Sequence, residues 1–202
     1  MNRSSHGLAL ALALTGLSAC SAIPGDGGST EVAAPSLAVA VPISAAVVRL
    51  PEAAGRIVSV VERRTPERRL QVVTLAGDGS GVAADRIEAS LSPHRPGDLG
   101  TRRSAEEIVA EFAPTLPDRT VRIGDRPIVS AAGAFGWATA RGDRGGLCLV
   151  AWTDTVIDRG TGVVATIDDR AQDLEVRIRL CRRGASEADL VGWLAATRVG
   201  PG

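Results

Sequence analysis

Leu174 to Cys181 alternates apolar and polar residues, with Leu174, Val176, Ile178 and Leu180 on one side. A period of two marks a half-buried β-strand, and this is the cleanest such segment in the chain. Leu147 to Trp152 is apolar on both sides, as a central strand covered on both faces would be. Gly133 to Ala140 precedes it across a turn at Gly142-Asp143-Arg144-Gly145-Gly146, so the two segments read as a hairpin. Ala46–Leu50, Arg56–Val61, Arg69–Leu75 and Arg86–Leu91 are short strand patterns. Arg119 to Val129 reads as strand interrupted at Gly124-Asp125, and Gly162 to Ile167 as a further strand.

Two segments carry the helical period instead. Ser104 with Glu107 three residues later has capping-box form, and Ile108, Val109 and Phe112 follow on one face. Pro114 disfavours helix at the residue before it, so this helix should stop near Ala113. Ser186 and Asp189 cap a last helix whose Leu190, Trp193 and Leu194 fall at i, i+3 and i+4. The sum is an α+β fold: a mainly antiparallel sheet with one middle and one C-terminal helix packed on a face.

The N-terminus breaks both patterns. Met1 to Gly7 is polar and carries Arg3, and Leu8 to Leu17 is almost pure Leu and Ala. That is the charged and then apolar build of an export signal. Ten apolar residues reach roughly 15 Å as a helix, about half of a bilayer's hydrocarbon core. The segment ends Leu17-Ser18-Ala19-Cys20, which resembles the bacterial lipobox. Residues 1–19 are thus expected to be a lipoprotein signal peptide, removed after Cys20 takes its lipid. Two or three acyl chains make such an anchor stable. Ser21 favours the outer over the inner membrane, with the domain in the periplasm. Ser21 to Ser44 is rich in Gly, Ala, Pro and Ser. It reads as a flexible tether, because it has too little apolar surface to offset its ordering entropy. Residues 45–202 then form one domain.

Composition narrows the chemistry. The chain has 202 residues, with 23 basic and 23 acidic side chains mixed along it. No basic stripe stands out, so nucleic acid is not an expected partner. Every basic residue is Arg, and there is no Tyr. Aliphatic residues must build the core, with Trp137, Trp152, Trp193, Phe112 and Phe135 as its few large pieces. With Cys20 lipidated, Cys148 and Cys181 remain as a pair in an oxidising compartment, which points to a disulfide. The alternation puts Cys181 on the Glu175, Arg177, Arg179 side of its strand, which is harder geometry for that bond.

No catalytic constellation emerges. His94 sits in a Pro-flanked loop without a nucleophile motif, and zinc would need more His and Cys ligands than the chain has. Asp143, Asp154, Asp158, Asp168, Asp169 and Glu175 are carboxylates that a glycosidase could pair, but the chain alone gives no spacing. The Gly-rich turns match no phosphate-binding fingerprint. The chain is therefore expected to be no enzyme, with no cofactor and no metal. Trp137 and Trp152 lie on neighbouring expected strands. Stacked together they would make a platform for sugar rings or a partner surface. Core packing is the plainer use of both.

Gly133-Ala134-Phe135-Gly136-Trp137-Ala138, Cys148-Leu149-Val150-Ala151-Trp152, Val176-Arg177-Ile178-Arg179-Leu180-Cys181-Arg182 and the helix from Ser186 to Leu194 occur in that order. In this the chain resembles the cellulose biosynthesis protein BcsN family of bacterial envelope lipoproteins. Val60-Val61-Glu62-Arg63-Arg64 adds an earlier match. The chain departs from the family pattern in lacking Tyr at aromatic positions and in having Thr153 after Trp152. The resemblance implies a non-catalytic accessory of cellulose or related exopolysaccharide production. Its partners would be cellulose synthase-associated envelope proteins or the glucan itself. Two other readings stay open: an envelope-assembly lipoprotein that binds proteins and no glycan, and a glycan-active enzyme.

Overall fold

The computed structural model describes residues 37–79, 84–95, 103–116, 120–141, 145–158 and 171–200. The export segment, Cys20, the tether up to residue 36 and the strand expected over 162–167 lie outside the described residues. The elements run β1 (Ala38–Val41), β2 (Val48–Arg49), β3 (Ile57–Arg64), β4 (Arg69–Leu75), β5 (Arg86–Pro93), α1 (Ala105–Phe112), β6 (Val121–Ile123) and β7 (Ile128–Ser130). They continue with β8 (Gly133–Arg141), β9 (Gly146–Asp158), β10 (Ala171–Arg183), α2 (Glu187–Ala195) and β11 (Arg198–Val199). One sheet has the order β1-β3-β4-β5-β10-β9-β8-β6, with β7 also pairing with β8. Its pairs are antiparallel, and β2 and β11 form a separate two-stranded ribbon. An α+β fold built on an antiparallel sheet is what the patterning predicts.

The longest pairing joins β9 to β10 at the centre. Leu174, Val176, Ile178 and Leu180 are all fully buried, as their alternation requires. They cluster with Leu149 and Ala151 of β9, Ile87 and Ala89 of β5, Val73 of β4 and Leu190 and Leu194 of α2. Side chains of opposite parity form a second, smaller cluster. There Cys148, Val150 and Cys181 meet Ile108 and Phe112 of α1 and Leu116 just after it. So the buried residues of the two helices join different clusters. Both helices begin as expected. Ser104 accepts from the Glu107 N–H while Glu107 accepts from the Ser104 N–H, and Ser186 and Asp189 do the same. The Ser186 hydroxyl and N–H also hold the Asp189 carboxyl below its usual range.

Cys148 lies directly opposite Cys181, and the two are bonded. Cys181 is on the Arg177, Arg179 side, as the alternation says. That side is nonetheless covered at this end, leaving Cys181 1% exposed. Arg179 is buried there too and donates to the Ala84 and Thr115 carbonyls. Burial lowers its pKa, partly offset by the nearby charge of Asp85.

Two expectations near the start of the domain need correction. The tether reading ran to Ser44, yet Ala38–Val41 is strand β1, paired with β3 from Ala38↔Arg63 to Val41↔Val60. Its small side chains gave no burial signal, because the backbone ladder to β3 holds it. Of the expected strand Ala46–Leu50, only Val48 and Arg49 pair. A buried polar knot takes over instead. The Gln71 side-chain oxygen accepts from the Val47 N–H at 2.9 Å, and its amide nitrogen donates to the Ala45 carbonyl at 2.9 Å and to Glu62 Oε2 at 2.7 Å. These bonds pin Ala46, Val47 and Val48, all fully buried, against the sheet.

Candidate functional site

Beyond the part of the second face that clusters with α1, β10 places Asp173, Glu175 and Arg177 on that face. The same parity on β9 gives Trp152, which packs in part against the α1 cluster, and then Asp154 and Val156; on β5 it gives Glu88 and Ser90. Register sets them side by side: Trp152 and Glu88 both face Arg177, while Asp154 and Ser90 both face Glu175. Opposed side chains on one face lie within reach of each other.

The result is a charge ladder across four strands. Arg68, just before β4, reaches Glu175 at 3.0 Å and also bonds the Ser90 hydroxyl. Glu175 reaches Arg177 at 3.0 Å, and Arg177 reaches Asp154 at 3.1 Å. The Arg177 side chain is only 9% exposed, whereas Asp154 is 52% and Glu175 40% exposed. A buried guanidinium therefore aims two solvent-facing carboxylates. The four charges cancel. Exposed pairs of this kind stabilise a fold by roughly 0–1 kcal/mol, so their main effect here is to fix where the oxygens point.

Trp152 completes the site. Its indole lies against Gly136, its partner on β8: a Cβ there would come 2.5 Å from the ring. The side chain is half-buried, and among the described residues its ring N–H has no partner. Trp137 behaves in the opposite way. It sits on the other sheet face, 7% exposed, with its ring N–H donating to the Arg126 carbonyl at 2.9 Å. Arg122 covers its ring at 5.5 Å and pairs with Glu187 of α2. The pairing Trp137↔Ala151 and Gly136↔Trp152 sends the two indoles to opposite faces, so the two-tryptophan platform does not form. Of the two, Trp152 alone keeps a partly exposed ring, the rest of it packed against the α1 cluster.

The other candidates separate similarly. His94 bonds Asp173 at 2.7 Å through Nδ1, and among the described residues no serine or cysteine bonds its ring. Asp143, Asp168 and Asp169 lie outside the described residues, as does the side chain of Asp158. Asp154 and Glu175 are brought together. Among the described residues no group of three or more His, Cys, Asp or Glu is placed to hold a metal. A shallow cleft of about 240 Å³ opens between the β3–β4 turn, from Arg64 to Arg69, and Ser92, Pro93 and Gln172. Arg68 belongs to both cleft and ladder. Arg68, Ser90 and Arg177 were missed by the sequence reading, because their place depends on register.

The family model for cellulose biosynthesis protein BcsN matches residues 48–200. The chain belongs to the BcsN family. The match takes in every element from β2 to β11, including the ladder, Trp152 and the disulfide. No curated protein and no solved structure matches the chain. The BcsN description ties the family to cellulose biosynthesis, as the order of Gly-aromatic, Cys-x-x-x-Trp and Arg-rich segments implies. No helix among the described residues is long and apolar enough to cross a membrane.

Proposed function

We propose that this BcsN-family chain is a non-catalytic accessory lipoprotein of bacterial cellulose, or a related exopolysaccharide, acting in its synthesis or export. The match over residues 48–200 carries the reading. The Leu17-Ser18-Ala19-Cys20 box supports a lipid anchor, with the domain in the periplasm and Ser21 favouring the outer membrane. The site supports binding more than catalysis. A glycosidase keeps one carboxyl protonated in apolar surroundings. Asp154 and Glu175 instead share one guanidinium and face solvent.

Deletion of the gene tests the reading, with complementation by wild type and by Cys20→Ser. Deletion is expected to lower or disorganise cellulose output, and only the wild type should restore it fully from the membrane fraction. Unchanged cellulose would overturn the role, and membrane retention of Cys20→Ser would overturn the anchor. Hydrolysis of cello-oligosaccharides by the purified protein, lost in Asp154→Asn, would overturn the non-catalytic part.

A further inference from the structure

We propose that the face around Trp152 binds a β-linked glucan chain directly, with Trp152 as stacking platform and Asp154, Glu175 and Arg68 as hydrogen-bonding partners for its hydroxyls. This rests on the function proposed above and names the ligand of its site. Three observations point to a neutral sugar polymer.

The first is the ring itself. An indole seated on a glycine, packed in part against the α1 cluster and partly exposed, with its N–H unpartnered among the described residues, is an apolar plate with one polar handle. Pyranose rings present C–H groups on their flat faces and hydroxyls at their edges, which suits such a plate.

The second is charge. Arg68, Glu175, Arg177 and Asp154 sum to zero, and the other two carboxylates of the face are partnered, Glu88 by Arg86 and Asp173 by His94. A polyanion would be favoured by a surplus of Arg and a cationic partner by a surplus of acid. A neutral, hydroxyl-rich chain needs charged acceptors and donors without a net field, and bonds to ionised groups are the stronger kind. Arg177 keeps the carboxylates aimed, so little side-chain freedom is lost on binding.

The third is extent. Trp152 on β9 and Arg68 at β4 are three strand spacings apart, about 14 Å at roughly 4.8 Å each. The polar groups follow one another across that distance and lead to the cleft beside Arg68. That is a track for successive residues of a polymer and too long for one monosaccharide.

The test uses the mature chain carrying Cys20→Ser, with cellohexaose in calorimetric titration and insoluble cellulose in sedimentation. Wild type should bind both and should not bind polygalacturonate, an anionic comparator. Trp152→Ala should weaken binding about tenfold or more, the equivalent of one good aromatic contact. Trp152→Phe should recover part of that, and Asp154→Ala should weaken binding several-fold. Trp137→Phe, on the opposite face, should bind as wild type does. Circular dichroism and thermal melts confirm that each variant is folded. Failure of wild type to bind cellohexaose, equal binding by folded Trp152→Phe, Asp154→Ala and wild type, or a preference for polygalacturonate would each overturn the proposal. If binding fails while deletion still abolishes normal cellulose output, the accessory role stands and only its glucan contact falls. If binding holds while deletion changes nothing, the accessory role falls.

Discussion

Gly136 on β8 faces Trp152 on β9, and the indole of Trp152 occupies the space that a side chain at Gly136 would need. The glycine is there for room. Ring atoms of a Trp wedged on a sheet cannot swing away as a flexible side-chain tip would. Gly136→Ala should therefore displace the indole and destabilise the fold by about 1–3 kcal/mol, the usual range for an overpacked contact. Urea unfolding measures the loss, and a shift in tryptophan emission reports the moved ring. A variant as stable as wild type, with unchanged emission, would contradict this packing.

The bond between Cys148 and Cys181 closes a long loop across the two central strands. Their separation of 33 residues corresponds to roughly 4 kcal/mol in the chain-entropy view. The unreduced mature domain should show no free thiol from this pair after unfolding. Cys148→Ala with Cys181→Ala should lower unfolding free energy by roughly that amount. Two titratable thiols in the unreduced protein would rule the bond out.

Much of this was legible because local signals agreed with the tertiary outcome. The alternation over Leu174–Leu180 gave the central strand and its buried side, and Ser104 and Ser186 gave both helix starts. β1 was not legible, because Ala38–Val41 is held by backbone bonds to a strand twenty residues further on. The site was legible only in part. Trp152 and the carboxylates Asp154 and Glu175 were visible as residues, but their neighbours follow from register. Register was recoverable from one assumption: if Cys148 faces Cys181, then four residues inward Trp152 faces Arg177, and two further on Asp154 faces Glu175. Parity within the hairpin then parts Trp137 from Trp152. Arg177 and Arg179 looked solvent-facing by type, and only the assembled sheet and α1 show them buried.

Glu62 makes part of the stability dependent on pH. It is 4% exposed and accepts from Gln71, Arg64 and Arg69. Burial alone would raise its pKa, but these donors together outweigh it and leave the carboxyl below its ordinary 4.5. A depressed folded-state pKa means the contribution is complete above the unfolded value and fades as pH falls through the folded one. Urea midpoints of wild type should therefore drop below about pH 4.5. Glu62→Gln should start lower at neutral pH and lose less on acidification. Parallel curves for the two proteins would remove Glu62 from this role.

Arg182, at the end of β10, and Asp85, just before β5, form a buried ion pair that ties this one end of the two strands to the segment before β3. Arg182 bonds the Asp85 carboxylate and the carbonyls of Ala54 and Ala76, while the other Asp85 oxygen accepts from the Cys181 N–H at 2.8 Å. Gly55, with a φ of 131°, leaves the space in which the guanidinium sits. Removing one partner leaves the other charge in a site that is 3% exposed at Asp85. Breaking such a pair costs about 3–5 kcal/mol, mostly from the stranded charge. Arg182→Met should therefore destabilise by that order, and adding Asp85→Leu should restore part of the loss. Full recovery is not expected, because the Ala54, Ala76 and Cys181 backbone groups lose their partners in the double variant. A double-mutant cycle in urea decides it: equal additive losses from both substitutions would mean that the two charges do not depend on each other.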